Sequence, residues 1–101
     1  MARKTIERAF PGKSAEAIYV EVERMIRAVG QKYGFQCHYD AAARRIVVPE
    51  TMGVKGLCTV AEGRVQIDLE HGLLGTAVAG PVKSYIEEKL AKLFVSERKP
   101  T

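Results

Sequence analysis

Cys37, Cys58, His38 and His71 are the residues in this 101-residue chain whose types suit nucleophilic or metal chemistry. A reactive thiol needs partial exposure and a cationic or imidazole neighbour, because the thiolate is the attacking species. Cys37 and Cys58 form no CxxC pair, and alternation along their strands turns both inward, where cysteine acts as a small hydrophobe. His38 points to the face opposite Cys37, so a Cys-His couple is not expected. His71 ends a strand beside Gly72 and is expected at the surface or a sheet edge. No two of the four residues have the spacing of zinc ligands.

The other candidates are weaker. Asp68 and Glu70 stand two apart on one strand face, a spacing that suits paired acids but is also that of any solvated strand. Gly53, Gly56, Gly72 and Gly75 build no phosphate loop, since neither GK[ST] nor GxGxxG occurs. Arg44-Arg45 is too short a basic step for nucleic acid. Tyr19, Tyr33, Phe35 and Tyr85 fall on core-facing positions rather than on a base-stacking platform. No catalytic, cofactor-binding or metal residue is therefore expected, and the chain reads as non-enzymatic.

The elements that carry these residues follow from periodicity. TIERAF reads as a first strand stopped by Pro11-Gly12. From Ala15 to Tyr33, Ile18, Val22, Met25 and Val29 recur at helical spacing, widened by Tyr19, Ile26 and Tyr33. Ser14 suits the N-cap and Glu16 the first turn, and Gly34 suits the left-handed cap at the other end; Gly30 is expected to fray the last turn. FQCHY and RRIVV read as short strands, the second ending at Pro49, with DAAA as the turn between them and Met52-Gly53 as the next break.

VKGLCTVA and RVQIDLE flank Glu62-Gly63 as a hairpin. A two-residue loop sets Val60 against Val65, Cys58 against Ile67, Gly56 against Leu69 and Lys55 against Glu70. Val60, Cys58, Val65, Ile67 and Leu69 then share a core face, and the opposite face is largely polar. The last helix is expected to start at Pro81, with Val82, Ile86, Leu90 and Leu93 as its stripe and Glu88 to Lys92 as an i,i+4 pair. The order β-α-β-β-β-β-α predicts an α+β fold: one antiparallel sheet with two helices packed on one face.

Composition places limits on function. An apolar fraction of 47% with 28% charged residues is that of an ordinary globule, and 101 residues make one domain. No apolar run reaches the roughly 20 residues of a membrane span. MARKTIERAF lacks the apolar stretch of a signal peptide, so a reduced, cytoplasmic protein is expected. Residues 1–8 hold Arg3, Lys4 and Arg8 against Glu7, residues 96–101 hold Arg98 and Lys99 against Glu97, and the stretch between holds eleven basic and ten acidic residues. The excess of +4 thus sits mainly in residues 1–8 and 96–101, and the tails, about 1–3 and 96–101, are expected to be flexible. A nucleic-acid binder concentrates such charge on one face, so nucleic acid is not the expected partner.

With the hairpin and last helix in place, the chain resembles the polyhydroxyalkanoic acid system protein family, small bacterial granule-associated proteins. The resemblance runs from IER through the long helix to YGF, then through GVKGLCTVAEGRVQIDLEHGLLG and VKSYIEEKLAKLF. It rests on Gly53 and Gly56, on Val65, Ile67 and Leu69, on the pair Leu73-Leu74, and on Val82, Ile86, Leu90 and Phe94. The chain departs from the family between the leucine pair and the helix. There the family carries a bulky, often aromatic residue beside a basic one, and this chain has Ala77-Val78-Ala79-Gly80-Pro81.

The resemblance implies an accessory role in polyhydroxyalkanoate storage, at the granule surface or on a granule protein, with no cofactor. The uncharged connector between hairpin and last helix suits that role, and Leu73, Leu74, Ala77 and Val78 are its candidate apolar contacts. The other arrangement is that Leu73 and Leu74 close the core. Two further readings are a small-ligand-binding, helix-grip-like domain with a pocket near Met25, Tyr85 and Cys58, and a binding module that uses the basic tails. A homodimer through the open sheet face or an edge strand is compatible with the same elements.

Overall fold

The computed structural model describes residues 2–51, 53–72 and 75–94. The order along the chain is β1 (Ala2–Ala9), α1 (Ala15–Tyr33), β2 (His38–Asp40), β3 (Arg45–Thr51), β4 (Val54–Ala61), β5 (Arg64–His71) and α2 (Thr76–Lys92). The five strands form one antiparallel sheet in the order β1-β5-β4-β3-β2, and both helices cover one face, so the fold is α+β as expected. None of the described helices is long and apolar enough to cross a membrane.

Register explains why one face is core. Tyr39 opposes Ile46, Ile46 opposes Cys58, Cys58 opposes Ile67 and Ile67 opposes Ile6, a single row across the sheet. Under it α1 places Ile18 and Val22 and α2 places Val82, Ile86 and Leu90, all at most 2% exposed. Burying each such side chain contributes roughly 1.5–3 kcal/mol. The neighbouring row, His38, Val47, Leu57, Asp68 and Thr5, runs across the open face. The hairpin of β4 and β5 has the expected register at every pair, with Lys55 and Glu70 ion-paired at 3.4 Å.

α1 spans the expected residues. The Ser14 hydroxyl accepts from the Ala17 amide at 3.1 Å, and Gly34 ends the helix at φ 79°, a conformation that costs glycine nothing. Gly30 does not fray the last turn as expected. It is buried, and its carbonyl accepts from the amides of Gly34 and Phe35. That contact holds residues 35–37 against the helix, so β2 begins only at His38, later than FQCHY suggests. β3 runs past Pro49 to Thr51, because the proline sits where the register with β4 shifts between Val48 and Thr51. β1 starts earlier than TIERAF, with Ala2 opposing His71 and Arg3 opposing Glu70.

Candidate functional site at the head of the second helix

The uncharged connector is where sequence and structure differ most. α2 starts at Thr76, five residues ahead of Pro81, so Ala77, Val78, Ala79 and Gly80 are helical and Pro81 lies inside the helix. Proline is best tolerated in a first turn, which made Pro81 look like a helix start. The residue before the helix is Gly75, with no side-chain cap, and the first turn holds no acidic residue. α1 has both devices, so the contrast lies within one molecule.

The head of α2 is held by backbone. Gly72 donates to the Gly53 carbonyl at 3.4 Å, and Gly75 donates to the Gly72 carbonyl at 3.1 Å. Of the candidate contacts, Ala77 is exposed and Val78 is half-buried, packed against the core. Leu73 and Leu74 lie outside the described residues. Ala79 and Val82 are buried, and Pro81 is exposed. Ala77 and Pro81, one helical turn apart, therefore present an uncharged surface, and the first charge along α2 is Lys83. Such a surface transfers no proton and attacks no bond; its chemistry is to lose water against another apolar surface.

His71 corrects its expected place at the surface. It is only 7% exposed on the core face, continuing the row of Val65, Ile67 and Leu69, and lies beneath the head of α2. Its Nδ1 is 3.3 Å from the Gly72 carbonyl oxygen, and its Nε2 is buried with no hydrogen-bond partner among the described residues. The thiols lie as expected. Cys58 is 1% exposed and burial pushes its pKa up to about 12. Cys37 is half-buried and shifted upward, first by burial, with Tyr39 and Arg27 opposing. Both shifts disfavour the thiolate. His38 is exposed, on the face opposite Cys37.

Asp68 and Glu70 lie together on the open face, each engaged by neighbours. Asp68 accepts from Thr5 at 2.9 Å and Gln66 at 3.2 Å and stands 3.6 Å from Arg3, while Glu70 pairs with Lys55. They border a shallow concavity of about 270 Å³ whose apolar floor includes Val47, Pro49 and Leu57. Sequence alternation placed Leu57 on this face but did not single out Val47, which is 44% exposed. On the other side of the sheet, the space beside Cys58, Ile67, Val82 and Ile86 is about 20 Å³, the room of about one water. Met25 and Tyr85 do not line it.

The fold and these surfaces define a small α+β domain with an uncharged helix head and an open sheet face on which charged residues border an apolar floor. Over residues 5–94 the chain matches the family described as "putative polyhydroxyalkanoic acid system protein", and it belongs to that family. The match begins within β1 and takes in the other four strands and both helices. No curated protein and no solved structure matches the chain.

Proposed function

We propose that the protein is a non-enzymatic accessory protein of polyhydroxyalkanoate storage, working in the cytoplasm at the granule surface or on a granule protein. The head of α2 is its point of attachment, through Leu73, Leu74, Ala77 and Val78. The observation that carries this reading, beside family membership, is that the first turns of α2 are both uncharged and uncapped while presenting Ala77 and Pro81 to solvent. A helix head turned only toward water gains from a capping side chain and an acidic first turn. One that is to be dehydrated against an apolar surface loses by carrying charge there. The helix is held instead by the backbone contacts of Gly72 and Gly75, which add no polar side chain to the surface.

The test is co-sedimentation of the folded protein with two kinds of particle, native granules and protein-free amorphous polymer. Saturable binding to both supports direct attachment to the polymer. Binding to native granules alone supports attachment through a granule protein. Binding to neither contradicts the reading.

A further inference from the structure

β1 is an edge strand of eight residues, whereas β2 at the other edge has three. A long edge leaves a row of amides and carbonyls with no strand to bond them, a template for a second chain. We propose that β1 pairs antiparallel with β1 of a second copy, with the two-fold axis passing between the two Thr5 residues.

Charge complementarity selects that register. Antiparallel pairing of identical edges needs an axis normal to the sheet, which keeps like faces together, so residues that oppose each other point to the same face. With the axis at Thr5, Arg3 opposes Glu7 on both sides of it, Lys4 opposes Ile6, and Thr5 meets its own copy. Every other centre within the strand's charged stretch fails. At Arg3, Lys4, Glu7 or Arg8 a charged residue meets itself, and at Ile6 Lys4 meets Arg8 twice. Like charges directly opposite destabilise a strand pair, whereas opposite charges and Thr-Thr pairs stabilise it.

Arg3, Thr5 and Glu7 are all exposed, within reach of a partner strand, although Thr5 also donates to Asp68 within its own sheet. Glu7 is exposed and has no ion-pair partner among the described residues. The Arg3 side chain is 62% exposed and reaches Asp68 only at 3.6 Å. Thr5 is exposed on the open face, so the row His38, Val47, Leu57, Asp68 and Thr5 continues through the axis into its copy. The dimer has one continuous antiparallel sheet with the helices of both copies on the same side. On the attachment reading above, both α2 heads then lie on one side of the assembly, which favours two-point binding. The dimer itself does not depend on that reading, and its test uses no granule.

The test is sedimentation velocity of the full chain over a range of concentrations, with folding of each variant checked by circular dichroism. Arg3→Glu and Glu7→Arg should each weaken association about tenfold or more, because two attractive pairs become repulsive. The double variant Arg3→Glu/Glu7→Arg should restore it, since the reversed residues again meet opposite charges. Under mild oxidation Thr5→Cys should give a disulfide-linked dimer, as two residues opposed at the axis are within bridging reach. Thr59→Cys, on the same face but in the inner strand β4, should not. A monomer at every concentration overturns the proposal. So does a dimer indifferent to both reversals, or one in which Thr59→Cys cross-links as readily as Thr5→Cys.

Discussion

Gly75, the residue before α2, lies so close to Gly53 that a Cβ built on it would stand 2.3 Å from the Gly53 carbonyl oxygen. The same Cβ would stand 2.9 Å from the His71 Cβ. The turn between β3 and β4 and the end of β5 thus form the seat on which the second helix begins. Backbone meets backbone there, so no rotamer change makes room for a side chain.

Gly75→Ala should therefore cost roughly 1–3 kcal/mol, the usual penalty for overpacking a close contact. Gly72→Ala is the control, because a Cβ at Gly72 meets nothing within 4 Å, and it should stay within about 0.5 kcal/mol of the parent. Urea midpoints check both. The Gly75 variant should shift its midpoint with an unchanged slope.

Pro81 sits in the second turn of α2, where it lacks the amide that would donate to the Ala77 carbonyl. Pro81→Ala should raise stability, by up to about 3 kcal/mol, the difference between the two residues in a helix interior. A thermal scan reads the gain directly. An unchanged or lower midpoint would show that the ring itself packs usefully at this position.

The cysteines set a pH dependence whose direction follows from burial. Cys58 is pushed from 9.0 to about 12, so the folded chain holds a proton that the unfolded chain releases above pH 9. Its contribution is fully present below pH 9 and is lost as pH rises toward 12. The slope reaches about 1.4 kcal/mol per pH unit. Tyr39 moves in the same direction, from 10.0 to about 12, through burial first and Cys37 second. Urea midpoints should fall steadily across that alkaline window. At neutral pH a thiol reagent should modify Cys58 only on unfolding.

Much of the fold is legible in the sequence because local signals agree with the tertiary packing. α1 carries a cap at each end and an unbroken apolar stripe, and its limits, Ala15 and Tyr33, match the expectation. The hairpin is legible because two-residue alternation and a Glu62-Gly63 turn permit one register in which Cys58 meets Ile67. The head of α2 is not, for a physical reason. Gly75 replaces the usual capping side chain, and Pro81, the residue that normally marks a first turn, lies further in.

His71 was within reach: the alternation that buries Val65, Ile67 and Leu69 puts it on the core face too. What sequence could not supply is the tertiary partner, the Gly53 turn that roofs the end of β5. Nor does local pattern tell a half-buried Val78 from an exposed Ala77, since their difference is set by which side of α2 meets the core. Leu73 and Leu74 lie outside the described residues.

The most direct test of attachment through the head of α2 compares the parent with Ala77→Asp on protein-free polymer particles and native granules, at low and high salt. Ala77 is exposed in the first turn, where a carboxylate suits the helix dipole, so the variant should fold at least as stably, by about 0.3–1 kcal/mol. The account predicts that the parent binds in a saturable way that survives or strengthens in high salt, and that the aspartate abolishes binding while leaving the fold intact. Equal binding by parent and variant, or binding by the parent that vanishes as salt rises, would contradict it.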